Sequence, residues 1–434
     1  MRDLFKKIII KILALEARWV LRKYKPHVVA ITGSVGKTST KDAVYAVLSR
    51  FAHVRKSDKS FNSEFGVPLT ILGLPNGYYN PVLWIKNIIR GLWIVIWKHP
   101  YPKWLVLEVG VQMPGDMRFI TRFVHGEHVV FTAFADNPAH VEFFPSREAL
   151  YTEKMQLVDI LPDDGTIHYN HDSKELAKFF AHLPENKKVQ SYGLQNPSDL
   201  SAMVPSLIID ENEKEIFKLE FRVKRGDENI QVTLPGVFSE ASIYSALAAI
   251  SVATAAGYGL QESADALKRY LPPPSRMRAL HGQDGSILID DTYNSSPMAL
   301  AMSLRTISTL PLQGRKIVVL GDMLELGDLS LESHREAGKL AADVADIFVT
   351  YGVRARDMHE SAKEAGLTEK RLMHFGKEDE LVDYLKNQIK KGDTVLIKGS
   401  QGMRMERVVK ALLADPTDAE KYVARQDDFW LNKK

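Results

Sequence analysis

Hydrophobic and polar positions along this chain follow two periods. Short apolar runs, Val28 to Ala30, Trp104 to Val109 and Val129 to Phe134, read as buried strands. Between them lie segments with helical spacing, among them Val44, Val47 and Leu48 and the Ala-rich stretch from Tyr244 to Ala256. From His27 to about Pro274 this alternation predicts a mostly parallel sheet with helices on both faces. Leu271-Pro272-Pro273-Pro274 interrupts it, because serial prolines cannot continue a helix and make a stiff connector, so a domain boundary is expected there. Beyond it, runs at Ser286 to Ile289, Lys316 to Leu320, Ile347 to Tyr351 and Thr394 to Ile397 restart the alternation. They predict a second, smaller α/β domain with ligand-binding loops at the carboxyl ends of its strands.

Two segments depart from this pattern. Met1 to Lys25 mixes Leu4, Ile8, Ile12, Leu15 and Trp19 with Lys6, Lys7, Lys11, Arg18, Arg22 and Lys23, so charges interrupt every apolar run. That excludes a spanning helix and a signal peptide and leaves a basic amphipathic helix, which lies on an anionic membrane surface or packs on the rest of the protein. Residues 78–104 hold Trp84, Trp93, Trp97 and Trp104 among Lys86, Arg90, Lys98 and Lys103, the composition of a membrane interface. A helix buried within the domain, with Leu92 to Trp97 on its inner face, is the competing reading. Peripheral membrane contact through 1–25 and 78–104 is the expectation, with a cytoplasmic location at the inner face of the membrane.

Composition narrows the classes further. A formal charge of +3 over 434 residues, without a basic stripe interleaved with aromatics, argues against nucleic acid as a partner. No cysteine is present, which removes disulfides, thiolate metal sites and a cysteine nucleophile. The length suits two or three domains.

The candidate chemistry starts at Gly33-Ser34-Val35-Gly36-Lys37-Thr38-Ser39, which follows the first strand and opens a helix. Two glycines let backbone N–H groups close around phosphate oxygens at a positive helix end. Lys37 adds a charge, and the Thr38 hydroxyl can reach Mg²⁺. The spacing G-x-x-G-K-T is two residues shorter than the usual phosphate loop. Glu108 ends the strand at Leu105 to Leu107 and would bring an oxygen ligand to the same sheet edge. Taken singly, Glu108 reads equally as a surface residue, His140 as a packing histidine and Lys154 as a solvated lysine.

In order, these pieces resemble the Mur ligase family, its MurF type most closely. The resemblance runs from His27 to about Leu413 and rests on Thr32 to Thr38, Asn62 to Thr70, Glu108-Val109-Gly110, Ala139-His140-Val141-Glu142, Asp290 to Asn294, Val319 to Gly327 and Lys398-Gly399-Ser400. It implies an α/β architecture with a central P-loop ATP-binding domain at 27–274, interrupted by the Trp-rich basic segment at 78–104. A Rossmann-like C-terminal domain at 275–434 follows, and the helix at 1–26 precedes. It also implies a monomeric ATP-dependent ligase of peptidoglycan precursor synthesis, adding D-Ala-D-Ala to a muramyl-tripeptide through an acyl phosphate, with ATP and two Mg²⁺ ions.

By the same resemblance, Thr38, Glu108 and His140 would hold metal and Lys37 would bridge the terminal phosphates. Lys154 would be carbamylated, giving carboxylate-like oxygens to a metal. Asn62 would line the phosphate and acceptor side of the cleft. Arg276 and Asp290 would reach the nucleotide from the second domain, and Asn294, Asp322, Glu325, His334, Lys398 and Ser400 would sit in loops near the incoming amine.

Three departures from the family pattern bear on substrates. About 27 residues precede the ATP-binding domain, where the MurF type carries a UDP-gripping domain, so a lipid-linked acceptor is an open alternative. The family's His-Asn pair is replaced around Pro235-Gly236-Val237-Phe238-Ser239-Glu240-Ala241, which leaves adenine recognition open. Tyr293-Asn294-Ser295-Ser296-Pro297 lacks the family's second Asn, so a different amine remains open. The alternative from another class is a membrane-associated nucleotide-binding scaffold without catalysis.

Overall fold

The computed structural model describes residues 2–58, 61–78, 80–134, 141–181, 187–210, 213, 215–427 and 429–431 together with the backbone of 428; side chains are described from residue 6 onward. His140, a predicted metal ligand, lies outside the described residues.

A nine-stranded sheet forms the first body. Its order from edge to edge is Val54–Lys56, Trp104–Glu108, His27–Thr32, His128–Phe131, Thr166–Asn170, Lys188–Gly193, Leu200–Ile209, Phe217–Arg225 and Glu228–Pro235. The first seven are parallel, as the continuous apolar runs predicted, and the last three form an antiparallel meander. That meander went unread because Phe217–Arg225 alternates buried and exposed positions, the period of a sheet wet on one face. Helices Lys37–Leu48 and Ala241–Ala255 pack together on one side of the sheet, the second with eleven of its fifteen residues buried.

The other side is covered by Arg2–Tyr24, Gly66–Leu72 and Pro81–Ile96. The N-terminal helix thus packs on the protein, burying Ile9, Leu13, Ala17 and Val20 in the core beneath the sheet. Its last turn caps Pro81–Ile96: Lys23 Nζ donates to the carbonyls of Ile94, Val95 and Trp97 at 3.1, 2.9 and 2.6 Å. Trp84, Asn87 and Gly91 face inward from Pro81–Ile96, whereas Leu92, Trp93, Ile96 and Trp97 are exposed, so the buried-face reading of Leu92 to Trp97 holds only for Ile94 and Val95, which are half-buried against the core.

A second, six-stranded sheet has the order Arg278–His281, Ile287–Asp291, Thr394–Lys398, Lys316–Gly321, Ile347–Tyr351 and Leu372–Phe375. Five of these strands are parallel and the first is antiparallel. The C-terminal tail returns across this body. Arg425 pairs with Glu406 at 3.0 Å, both nearly inaccessible, and also donates to the Tyr293 carbonyl. Phe429 stacks on Tyr78 of the first body with ring centroids 3.8 Å apart.

Candidate functional site

The first strand ends at Thr32, and the chain turns through Gly33 and Gly36 into the helix beginning at Lys37. Gly36 has φ 81°, a left-handed conformation that favours glycine, and a Cβ on Gly33 would overlap the Thr132 hydroxyl. The neighbouring strand end ties the loop down. Ser34 N donates to the Ala133 carbonyl at 2.7 Å, and Thr132 Oγ1 donates to the Val35 carbonyl at 2.5 Å. Lys37 curls back, its Nζ donating to the Gly33 carbonyl at 2.8 Å and the Ser34 carbonyl at 3.4 Å. Loss of solvation lowers its pKa, the Glu108 carboxylate opposes that shift, and the Arg276 charge adds to it.

Glu108 emerges beside this loop, 1% exposed. Its Oε2 accepts from Thr38 Oγ1 at 2.9 Å and its Oε1 from Asn62 Nδ2 at 3.1 Å. Lys41 Nζ lies 3.6 Å from the same Oε2 and 3.6 Å from Asp42, and Ser57 Oγ accepts from the Glu108 backbone N–H at 3.1 Å. Lys41, Ser57 and Thr132 were missed from sequence. Only Lys41 carried a signal, since it lies one turn beyond Lys37 and falls on the buried side of an otherwise apolar-periodic helix.

Lys154 reaches the loop from the helix Arg147–Met155, which is capped by Ser146. Its Nζ donates to Ser34 Oγ at 3.3 Å and the Gly33 carbonyl at 3.4 Å. Burial, with Lys37 nearby, pushes the Lys154 pKa well below the ordinary lysine range. Lys37, Thr38, Asn62, Glu108 and Lys154 are therefore gathered around one loop.

The second body contributes unevenly. Arg276 stacks on Tyr293 with its guanidinium 4.0 Å from the ring centre, and its charge is felt at Lys37. Asp290, expected at the nucleotide, is fully buried in its own domain instead. Its oxygens accept from Ser275 Oγ at 2.7 Å and Thr292 Oγ1 at 2.6 Å, and burial raises its pKa to about 6. Lys398 ends a strand rather than lying in a loop, and it is committed to Asp291 at 2.6 Å and the Asn294 carbonyl at 2.9 Å.

His334 is likewise not in a loop. It sits on the helix Ser330–Val344, fully buried, where Nε2 accepts from the Met323 N–H at 3.0 Å and Nδ1 donates to the Ser330 carbonyl at 2.7 Å. Burial lowers its pKa, so the neutral ring pins the turn that carries Glu325. Asp322 accepts from the Ala355 N–H at 2.7 Å, and Ser400 Oγ accepts from the Leu324 N–H at 2.9 Å, so both also shape the loops. Asn294 and Glu325 remain exposed. The Glu325 turn approaches the first body: a Cβ on Gly327 would lie 3.4 Å from that of Glu142.

Thr38 and Glu108 supply oxygens of the kind Mg²⁺ prefers, and they fit such an ion where a phosphate would meet the loop. Among the described residues no group of three or more His, Cys, Asp or Glu is placed to hold a metal.

A glycine turn between strand and helix, with Lys, Thr and an acidic strand end at its mouth, defines a nucleotide-phosphate-binding α/β protein. Family models match in two places: the Mur ligase middle domain over residues 98–253 and the Mur ligase glutamate ligase domain over residues 275–401. The UDP-N-acetylmuramoyl-tripeptide--D-alanyl-D-alanine ligase of Bacillus subtilis (strain 168) is 27% identical over 409 residues, covering 92% of this chain and 79% of that protein. Its Escherichia coli (strain K12) counterpart is 26% identical over 403 residues, covering 92% and 80%. Among solved structures, the MurF ligase of Thermotoga maritima in complex with ADP superposes with a TM-score of 0.74 at 25% identity, covering 93% of this chain and 83% of that one. The chain belongs to the Mur ligase family, and its relatives are of the MurF type.

Proposed function

We propose that this protein is an ATP-dependent ligase of peptidoglycan precursor synthesis that joins D-Ala-D-Ala to a muramyl-tripeptide. The relatives named above carry that activity in their names, and the convergence of Lys37, Thr38, Glu108 and Lys154 on one phosphate loop is the observation that carries the reading. In the first step a carboxylate oxygen of the acceptor attacks the γ-phosphorus of ATP, giving an acyl phosphate and ADP. The amine of the dipeptide then attacks the acyl carbon, and the tetrahedral adduct loses phosphate and a proton to leave the amide.

Nearly all of this is the handling of negative charge between two anions. Lys37 would follow the β- and γ-phosphates, and Arg276 would add a second positive charge from the second body. Thr38 and Glu108 would hold Mg²⁺, with His140 contributing to a second ion; bound Mg²⁺ neutralises charge on the phosphate oxygens. The lowered pKa of Lys154 favours the neutral amine, the form that adds CO₂ with loss of a proton to give a carbamate. Asn62, which donates to Glu108, would line the acceptor side of the cleft.

The protein works in the cytoplasm, at the inner face of the membrane. Among the described residues no helix is long and apolar enough to cross a membrane. The test is phosphate release from ATP with purified protein, muramyl-tripeptide acceptors and D-Ala-D-Ala. Release that requires both substrates supports the reading, and no release with any acceptor overturns it in favour of a non-catalytic scaffold.

A further inference from the structure

The helix Pro81–Ile96 is apolar on both sides. A surface helix of a soluble domain turns its apolar stripe to the core. Here the inward positions are Trp84, Asn87 and Gly91, with Ile88, Ile94 and Val95 half-buried against the core, and the side-chain oxygen of the buried Asn87 has no partner. The outward stripe is Val82, Ile85, Ile89 and Ile96, exposed by 58, 55, 60 and 66%, with Trp93 at 54% beside it. The helix packed against it, Arg2–Tyr24, adds Leu15 and Trp19, exposed by 44 and 39%. Core packing therefore does not explain these residues, and so much exposed apolar surface marks a contact with something else.

Charge selects the occupant. Residues 1–25 and 78–104 carry twelve Lys and Arg against two Asp and Glu, so the rest of a chain of net charge +3 is net negative by seven. One of those two acids, Glu16, is buried against Gly91 and contributes nothing to the outer surface. Lys11, Lys86, Arg90 and Lys98 are all exposed around the stripe. Tryptophan and isoleucine ringed by lysine and arginine, with no exposed acid on the helix, is the chemistry of an anionic bilayer surface.

We propose that the outward face of Pro81–Ile96, flanked by Arg2–Tyr24, docks this protein on an anionic lipid bilayer, lying in the interface without crossing it. This rests on the placement at the membrane face and is independent of the ligase chemistry. The flanking helix also touches the segment that carries Asn62, because Lys6 pairs with Glu64 at 3.4 Å and Glu64 follows Asn62 by two residues.

Co-sedimentation with vesicles of phosphatidylcholine alone, and with one third phosphatidylglycerol, tests this with the full-length protein. Binding should be at least about tenfold stronger to the anionic vesicles and should weaken as salt rises. Ile89→Glu with Trp93→Glu, and separately Lys86→Glu with Arg90→Glu, should each cut that binding about tenfold or more. Both pairs alter exposed positions, so melting temperature and ATP turnover with a soluble acceptor should stay unchanged. Equal recovery in the supernatant with and without vesicles overturns the proposal, as does binding that both pairs leave intact. Light scattering that shows a dimer abolished by Ile89→Glu, with no vesicle binding, would assign the face to a second copy and overturn it as well.

Discussion

Thr38 and Glu108 lie seventy positions apart and meet in one hydrogen bond of 2.9 Å at the mouth of the phosphate loop. Glu108→Gln keeps the shape of that contact but removes the charge opposite Lys41, 3.6 Å away. Phosphate release should fall by about 10²-fold or more. The melting temperature should also drop, because a buried ammonium loses one of its two carboxylates. Thr38→Val should share the kinetic loss with little change in stability.

Lys154→Ala is expected to abolish turnover, and added formate or acetate should restore part of it by returning a carboxylate to the vacated volume. Wild-type turnover in the variant would remove the carbamate role. With the wild-type protein, activity measured in CO₂-depleted buffer should rise on adding bicarbonate, because the neutral amine is already favoured by burial.

Glu16 is 1% exposed, and neither of its oxygens has a partner. Burial pushes its pKa up to about 8 from an ordinary value of 4.5. The unfolded chain releases that proton near 4.5 and the folded chain holds it until about 8, so this residue lowers stability progressively as pH rises across that window. Glu16→Gln should match the wild-type melting temperature near pH 4 and exceed it by several degrees at pH 9.

His334 holds the turn bearing Glu325 through the Met323 N–H and the Ser330 carbonyl. His334→Ala leaves that N–H unsatisfied, which costs about 1–3 kcal/mol. Stability should fall and KM for the dipeptide should rise, while KM for ATP, whose phosphates would meet the loop at Gly33 to Thr38 far along the chain from this turn, should hold. An equal rise in both constants would argue against this division.

Three adjacent strands of the large sheet, the phosphate loop and the position of Glu108 were legible because each of those strands is a buried apolar run with its chemistry at one end, whereas Lys154, on the helix Arg147–Met155, was singled out only by the family resemblance. The second sheet was legible for the same reason, apart from Arg278–His281 and Leu372–Phe375, short edge strands with little pattern. What stayed hidden depended on three-dimensional neighbours. Asp290, Lys398 and His334 are polar residues at motif positions, and only packing reveals that their hydrogen bonds are already committed inside the domain. The outward stripe of Pro81–Ile96 shows the converse. Its composition was readable, but the direction it faces is fixed by Gly91 against Glu16 of the first helix, Trp84 against Phe65 and Asn87 on the Pro75 carbonyl.

The stack of Tyr78 on Phe429 joins the stretch just before the outward-facing helix to the last few residues of the polypeptide. Those residues are themselves clamped to the second sheet through Arg425 and Glu406. Any separation of the two sheets must part the rings or peel residues 425–429 from the second sheet, so this stack would act as a tether on opening of the cleft. Shortening the chain by a few residues would release that tether without touching a single group that meets substrate.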